Sequence, residues 1–151
     1  IIVFKTEESE DKYFIKRIIG LPGETVEIKN GEVYVTEPGE VEQAIKLEEE
    51  YLNLENKDNT KVYFSDFSVF EVSEDHYFVL GDNRKASTDS RTCFQSSIIE
   101  SCKDNPEKSF INKDLIRGKA WIVWWPLSNI RIIDKPDYEQ AQANSESLEE
   151  K

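Results

Sequence analysis

Lys12-Tyr13-Phe14-Ile15-Lys16-Arg17-Ile18-Ile19-Gly20-Leu21-Pro22-Gly23-Glu24 is the stretch whose reading decides the fold. Tyr13, Phe14, Ile15, Ile18 and Ile19 are aromatic or β-branched, the composition of a sheet strand, and Gly20 to Gly23 is a turn in which Pro22 sets φ. Lys16 therefore falls in mid-strand. An ammonium taken out of water loses hydration, which lowers its pKa from about 10.4 toward neutrality and makes it a candidate general base. The competing reading is a snorkelling lysine, its stem along a half-exposed strand and its charge in water.

Outward from this stretch the pattern stays that of short strands. Residues 1–5 read as a strand paired with 13–19, joined by an exposed polar connection at 6–12. Thr25-Val26-Glu27-Ile28-Lys29 alternates, Asn30-Gly31 is the preferred two-residue hairpin pair, and Glu32-Val33-Tyr34-Val35 alternates again, so Val26, Ile28, Val33 and Val35 should cover one face of a core. Between 36 and 66 the pattern weakens: Pro38-Gly39 is a turn, 41–54 could form a short helix, and 56–60 is a polar loop. Residues 67–72 look like a further strand, Glu74-Asp75 a turn, and His76-Tyr77-Phe78-Val79-Leu80 a buried strand. Ile116-Arg117-Gly118-Lys119-Ala120-Trp121-Ile122-Val123-Trp124-Trp125-Pro126-Leu127 reads as a strand apolar on both faces. Its three Trp are expected to spend most of their area on core packing, the alternative being an indole at a membrane interface. A last strand is expected at 130–133 and a polar, acidic, disordered tail at 134–151.

The strand ending at Leu80 runs into Gly81-Asp82-Asn83-Arg84-Lys85-Ala86-Ser87-Thr88-Asp89-Ser90-Arg91. With Ile15-Lys16-Arg17-Ile18-Ile19-Gly20-Leu21-Pro22-Gly23-Glu24 ahead of it, and Ile2-Val3-Phe4-Lys5 ahead of both, this order of motifs resembles bacterial type I signal peptidase, a membrane-bound Ser/Lys-dyad protease. The resemblance covers residues 1 to about 133, apart from a variable middle and an unusual stretch after Arg91. It implies a mainly β fold of coiled antiparallel sheets, with a catalytic core from 1–35 and 67–133 and a small variable cap at 36–66 away from the chemistry. By resemblance Lys16 is the general base, Ser87 orients its amine, and Arg17, Asp82, Asp89 and Arg91 hold the site by charge pairing. Tyr13, Phe14 and Ile15 would wall the pocket beside which an extended substrate adds to a sheet edge, although ordinary core packing is the reading for at least one of them. Gly81 and Gly23 read as turn residues.

The implied substrate is the signal peptide of an exported preprotein, cut without a cofactor at the extracytoplasmic face of the plasma membrane. No serine here lies in the Ser-x-x-Pro context of the family nucleophile. The chain, which lacks Met and opens directly on a strand, is therefore expected to be part of a longer protein, carrying base and scaffold while the nucleophile, oxyanion donors and membrane anchor lie upstream; by itself it should be inactive.

Composition narrows the alternatives. With 151 residues the chain suffices for one domain, and a formal net charge of −12 argues against a nucleic-acid partner, which would want a basic face. No apolar run approaches the roughly 20 residues of a membrane helix. Cys93 and Cys102 read either as two small buried thiols or, on the oxidising side of a membrane, as a disulfide worth about 2–3 kcal/mol; the disulfide is the expectation. Two Cys and one distant His make no zinc cluster, and His76 has no serine-elbow context for a triad. A self-cleaving repressor of the same chemistry would want a DNA-binding domain. From a different class, a non-catalytic β-domain that binds extended peptides or partner proteins stays open.

Overall fold

The computed structural model describes residues 1–6, 12–39, 43–63, 68–95, 102 and 104–133. Alternation and turn chemistry produce the elements in chain order: β1 (Ile2–Phe4), β2 (Phe14–Gly20), β3 (Thr25–Lys29), β4 (Glu32–Thr36), β5 (Ile45–Lys46), β6 (Val69–Glu71), β7 (His76–Leu80), β8 (Phe110–Asn112), β9 (Ile116–Lys119), β10 (Ile122–Val123) and β11 (Arg131–Ile132). The first of three sheets has the order β8-β7-β2-β1-β9, the second β5-β4-β3-β6, and β10 and β11 form a separate ribbon. Every strand pair in them is antiparallel, as expected of a mainly β fold.

The β3–β4 hairpin forms as its sequence dictates. Asn30 and Gly31 take positive φ of 55° and 88°, the backbone that a tight two-residue hairpin requires, and Thr25 to Lys29 pair in register with Thr36 to Glu32. Val26, Ile28, Val33 and Val35 then point inward together and pack with Ile19, Phe70, Val72, Phe78, Leu80 and Phe110. A second cluster on the opposite face of the five-stranded sheet gathers Ile2, Phe4, Val79 and Ile111, with Phe14, Ile18 and Phe94 against it. Each such apolar side chain contributes about 1.5–3 kcal/mol when fully buried.

The structure departs from the sequence reading in four places. Residues 43–54 contain no helix; they form β5, which pairs with β4, followed by turns, because their few apolar residues are used singly. The segment 36–66 is not remote from the chemistry, since Glu49, Thr60 and the Lys61 carbonyl all receive hydrogen bonds from arginines of the motif at 81–91. The stretch after Arg91 is not merely inserted: Phe110–Asn112 completes the large sheet by pairing with β7. Finally, the 116–127 stretch is not a core strand. Trp121, Trp124 and Trp125 are 65%, 69% and 65% exposed, because among the described residues β9 is an edge strand paired only with β1 and the β10–β11 ribbon lies outside both clusters. The tail expected at 134–151 and most of the connection at 6–12 fall outside the described residues.

Candidate active site

Lys16 stands in the middle of β2, paired with Ile2 of β1, on the face it shares with Phe14 and Ile18. Its alkyl stem lies in the row of apolar side chains that covers the second cluster, and its amine is 6.0 Å from the centre of the Phe14 ring. There Nζ donates a 2.9 Å hydrogen bond to Ser87 Oγ. Burial is the largest influence on the amine and pushes its pKa below the ordinary lysine value; the Asp89 carboxylate pulls it up, Arg91 pushes it down and Asp82 pulls it up.

Ser87 reaches Lys16 because the chain between β7 and Ser87 passes very close. A Cβ on Gly81 would lie 2.0 Å from Ser87 Oγ, 2.5 Å from Ser87 Cβ and 3.6 Å from Lys16 Nζ. Gly81 is therefore required by the space it leaves and not by its φ, whereas Gly23 does take the left-handed conformation, φ 82°, that suits a turn.

The charged residues of the motif form paired forks. On the opposite face of β2, Arg17 donates from Nε and Nη2 to both oxygens of Asp82, each at 2.9 Å. Asp89, fully buried, accepts from Arg91 Nε and Nη2 at 2.8 Å each and from Gly81 N at 3.1 Å. Arg91 Nη1 donates to the carbonyls of Lys61 and Arg84. Ser90 Oγ accepts from Val79 N, pinning the motif to β7. Buried charges persist only when paired and hydrogen-bonded, and no buried side-chain N or O among the described residues lacks a partner.

The three residues expected to wall a peptide pocket are split between the faces of β2. Phe14 lies beside Lys16, while Tyr13 and Ile15 are 62% and 61% exposed. On the β7 side, pairing begins only at Arg17 opposite Leu80, so residues 13–15 have no strand partner there among the described residues.

Sequence reasoning gave no role to Arg84, Glu49, Tyr51 or Thr60. Arg84, 1% exposed, donates from Nε to the Gly81 carbonyl at 3.1 Å, from Nη1 to Glu49 Oε2 at 2.8 Å and Thr60 Oγ1 at 2.6 Å, and from Nη2 to Glu49 Oε1. That an arginine in so fixed a motif needs a buried carboxylate was inferable; which of Glu48, Glu49 and Glu50 supplies it was not. Cys93, two residues beyond the motif, is disulfide-bonded to Cys102, both sulfurs buried against Ser109 and the first cluster.

The family model described as signal peptidase, peptidase S26, matches residues 1–125. The chain belongs to the signal peptidase family. It is 37% identical over 135 residues to signal peptidase I P of Bacillus subtilis subsp. natto, covering 87% of this chain and 60% of that one. It is 40% identical over 94 residues to signal peptidase I U of Bacillus subtilis, covering 60% and 46%. A crystal structure of a signal peptidase I from Enterococcus faecalis superposes with a TM-score of 0.50 at 29% identity, over 78% of this chain and 89% of that one. The chain spans about 60% of the length of such curated signal peptidases.

Proposed function

We propose that the protein carrying this chain is a serine endopeptidase that removes signal peptides from exported preproteins at the extracytoplasmic face of the plasma membrane, with Lys16 as its general base. The observation that carries the proposal is the half-buried Lys16 amine held 2.9 Å from Ser87 Oγ on a rigid strand. A serine hydroxyl is a poor nucleophile until a neighbour takes its proton, and a desolvated amine can do so near neutral pH. The attacking serine and the oxyanion donors come from a segment outside these 151 residues, as does a membrane anchor; among the described residues no helix is long and apolar enough to cross a membrane.

In this scheme Lys16 takes the proton of the incoming serine as its oxygen attacks the scissile carbonyl, then passes it to the leaving amine. Ser87 accepts the ammonium hydrogen bond and so aims the remaining lone pair or proton at the nucleophile. Asp89 with Arg91, and Arg17 with Asp82, fix the two chain segments that carry Lys16 and Ser87. The backbone of residues 13–15, without a strand partner on the β7 side among the described residues and with Tyr13 and Ile15 exposed beside it, suits an extended peptide adding as a strand.

The test is made in the full-length protein. Lys16→Arg abolishes cleavage of a preprotein, because guanidinium keeps its proton at every accessible pH; Ser87→Ala weakens cleavage without abolishing it. Near-normal turnover by folded Lys16→Arg would sink the assignment and leave a β-domain that binds peptides without cutting them. These 151 residues alone should show no peptidase activity.

A further inference from the structure

The segment that the sequence leaves least defined meets the site through several groups, Thr60 and Asn56 among them, and two of its side chains, Glu49 and Tyr51, link the arginines there. Arg17 and Arg84 are the two guanidiniums that hold the Gly81-Asp82 turn, Arg17 through both oxygens of Asp82 and Arg84 through the Gly81 carbonyl. Both converge on this segment. The Arg17 guanidinium lies 3.7 Å from the centre of the Tyr51 ring, and Glu49 takes both terminal nitrogens of Arg84. Tyr51 closes the circuit by donating its hydroxyl to Glu49 Oε1 at 2.6 Å. The path from Lys16 to Ser87 through their own hydrogen bond is thus backed by a second one, through Arg17, Tyr51, Glu49, Arg84 and Gly81.

We infer that Glu49 and Tyr51 are positioning residues for the Lys16–Ser87 pair, acting through the two arginines that hold the Gly81-Asp82 turn; the inference rests on the general-base reading of Lys16. Two physical arguments favour this over simple stabilisation. A buried ion pair is weak as a source of net stability, because desolvation consumes most of the Coulombic gain, but its forked geometry fixes directions. The position it fixes is also the most demanding one in the site, since Gly81 leaves no slack against Ser87. The strap is itself fastened: Thr60 N donates to the Gly31 carbonyl at 2.9 Å, and Asn56 Oδ1 accepts from Lys85 N at 3.3 Å.

Loosening this brace lets Ser87 draw away from Lys16 and lets water reach the amine. The charged groups facing Lys16 are Asp89, Arg91 and Asp82, but burial outweighs each of them, so hydration raises the proton affinity of the amine. The acidic limb of the rate profile then moves to higher pH.

The experiment uses the full-length protein with Tyr51→Phe and Tyr51→Leu, a preprotein-derived peptide as substrate, and Lys16→Arg as control. Tyr51→Phe keeps the ring on Arg17 and loses the hydroxyl, which donates to Glu49 and accepts from Arg84 Nη2 at 3.4 Å; kcat should fall about 3-fold. Tyr51→Leu loses both, and kcat should fall roughly 10-fold to 100-fold. Both should leave KM within about 2-fold and shift the acidic limb of kcat to higher pH, more so for leucine. If Tyr51→Leu does not fold, Tyr51→Phe decides on the same readouts. Folded variants with the parental limb and kcat, a lowered melting temperature without a shifted limb, or a raised KM at unchanged kcat would each overturn the inference while leaving the base assignment intact. An active Lys16→Arg would instead remove the assignment on which it rests.

Discussion

An ammonium half-buried on a strand costs the native state free energy at every pH where it keeps its proton, and that cost has a sign that can be measured. The folded pKa of Lys16 lies below the unfolded value of about 10.4, so the penalty is absent above that value, grows as pH falls through the interval down to the folded pKa, and is constant below it. Lys16→Met should therefore raise the melting temperature at pH 7, with an advantage that shrinks as pH approaches 10. An advantage independent of pH would show that the amine is not desolvated. If Lys16 is the base, as proposed, the same depression should set the acidic limb of cleavage below the pH at which an ordinary lysine titrates. Gly81 is the second residue with a sharp expectation, because no Cβ can sit 2.0 Å from an oxygen. Gly81→Ala must push Ser87 off Lys16, and cleavage by the full-length protein should fall by about 100-fold or more; parental activity would mean that the Ser87 bond is dispensable. Lys16 was legible from sequence because a charge amid β-branched residues is conspicuous. Glu49 was not, because an acid between two other acids carries no mark of the arginine it will meet.

Among the elements, the strap from β5 to Thr60 and the bridge between Cys93 and Cys102 carry the measurable consequences. Glu49→Ala leaves a guanidinium that is 1% exposed without its carboxylate, a loss of about 3–5 kcal/mol in denaturant unfolding. A loss near zero would show that Arg84 does not depend on the Glu49 carboxylate. The bridge closes a short loop between residues nine apart, so replacing both cysteines with serine should cost about 2–3 kcal/mol. Protein folded in an oxidising compartment should show no labelled thiol after denaturation without reductant; two free thiols would reject the bridge. The β3–β4 hairpin could be read in advance because Asn30-Gly31 encodes its own backbone geometry, and β2 and β7 because their apolar runs are bounded by turns. The helix expected at 41–54 failed for the converse reason. Its apolar residues are scattered among acids, and the segment took its shape from what it touches: Ile45 from Val35 across the sheet, and Glu49 and Tyr51 from the two arginines.

At the scale of the whole molecule, the three Trp offer a direct probe, because they are the only indoles in the chain and all lie on the β10 side, outside the two clusters. Their emission in the folded protein should be that of solvated indole and open to acrylamide quenching without denaturant; blue-shifted, protected emission would return them to a core. Sequence by itself determined the antiparallel class, the hairpin, the lysine on its strand, the family resemblance and a charge balance that argues against a nucleic-acid partner. These rest on local rules: the period of apolar residues, the backbone that Asn-Gly and Pro-Gly permit, and a run of fixed positions within one motif. Only the tertiary structure decided that Arg17 takes Asp82 while Arg84 takes Glu49, that Phe110–Asn112 completes the large sheet, and that the most aromatic stretch of the chain faces outward. Such choices join residues tens of positions apart, and they are settled by which buried charge finds a fork and which apolar strand finds a face to cover, quantities that exist only once the chain has closed on itself.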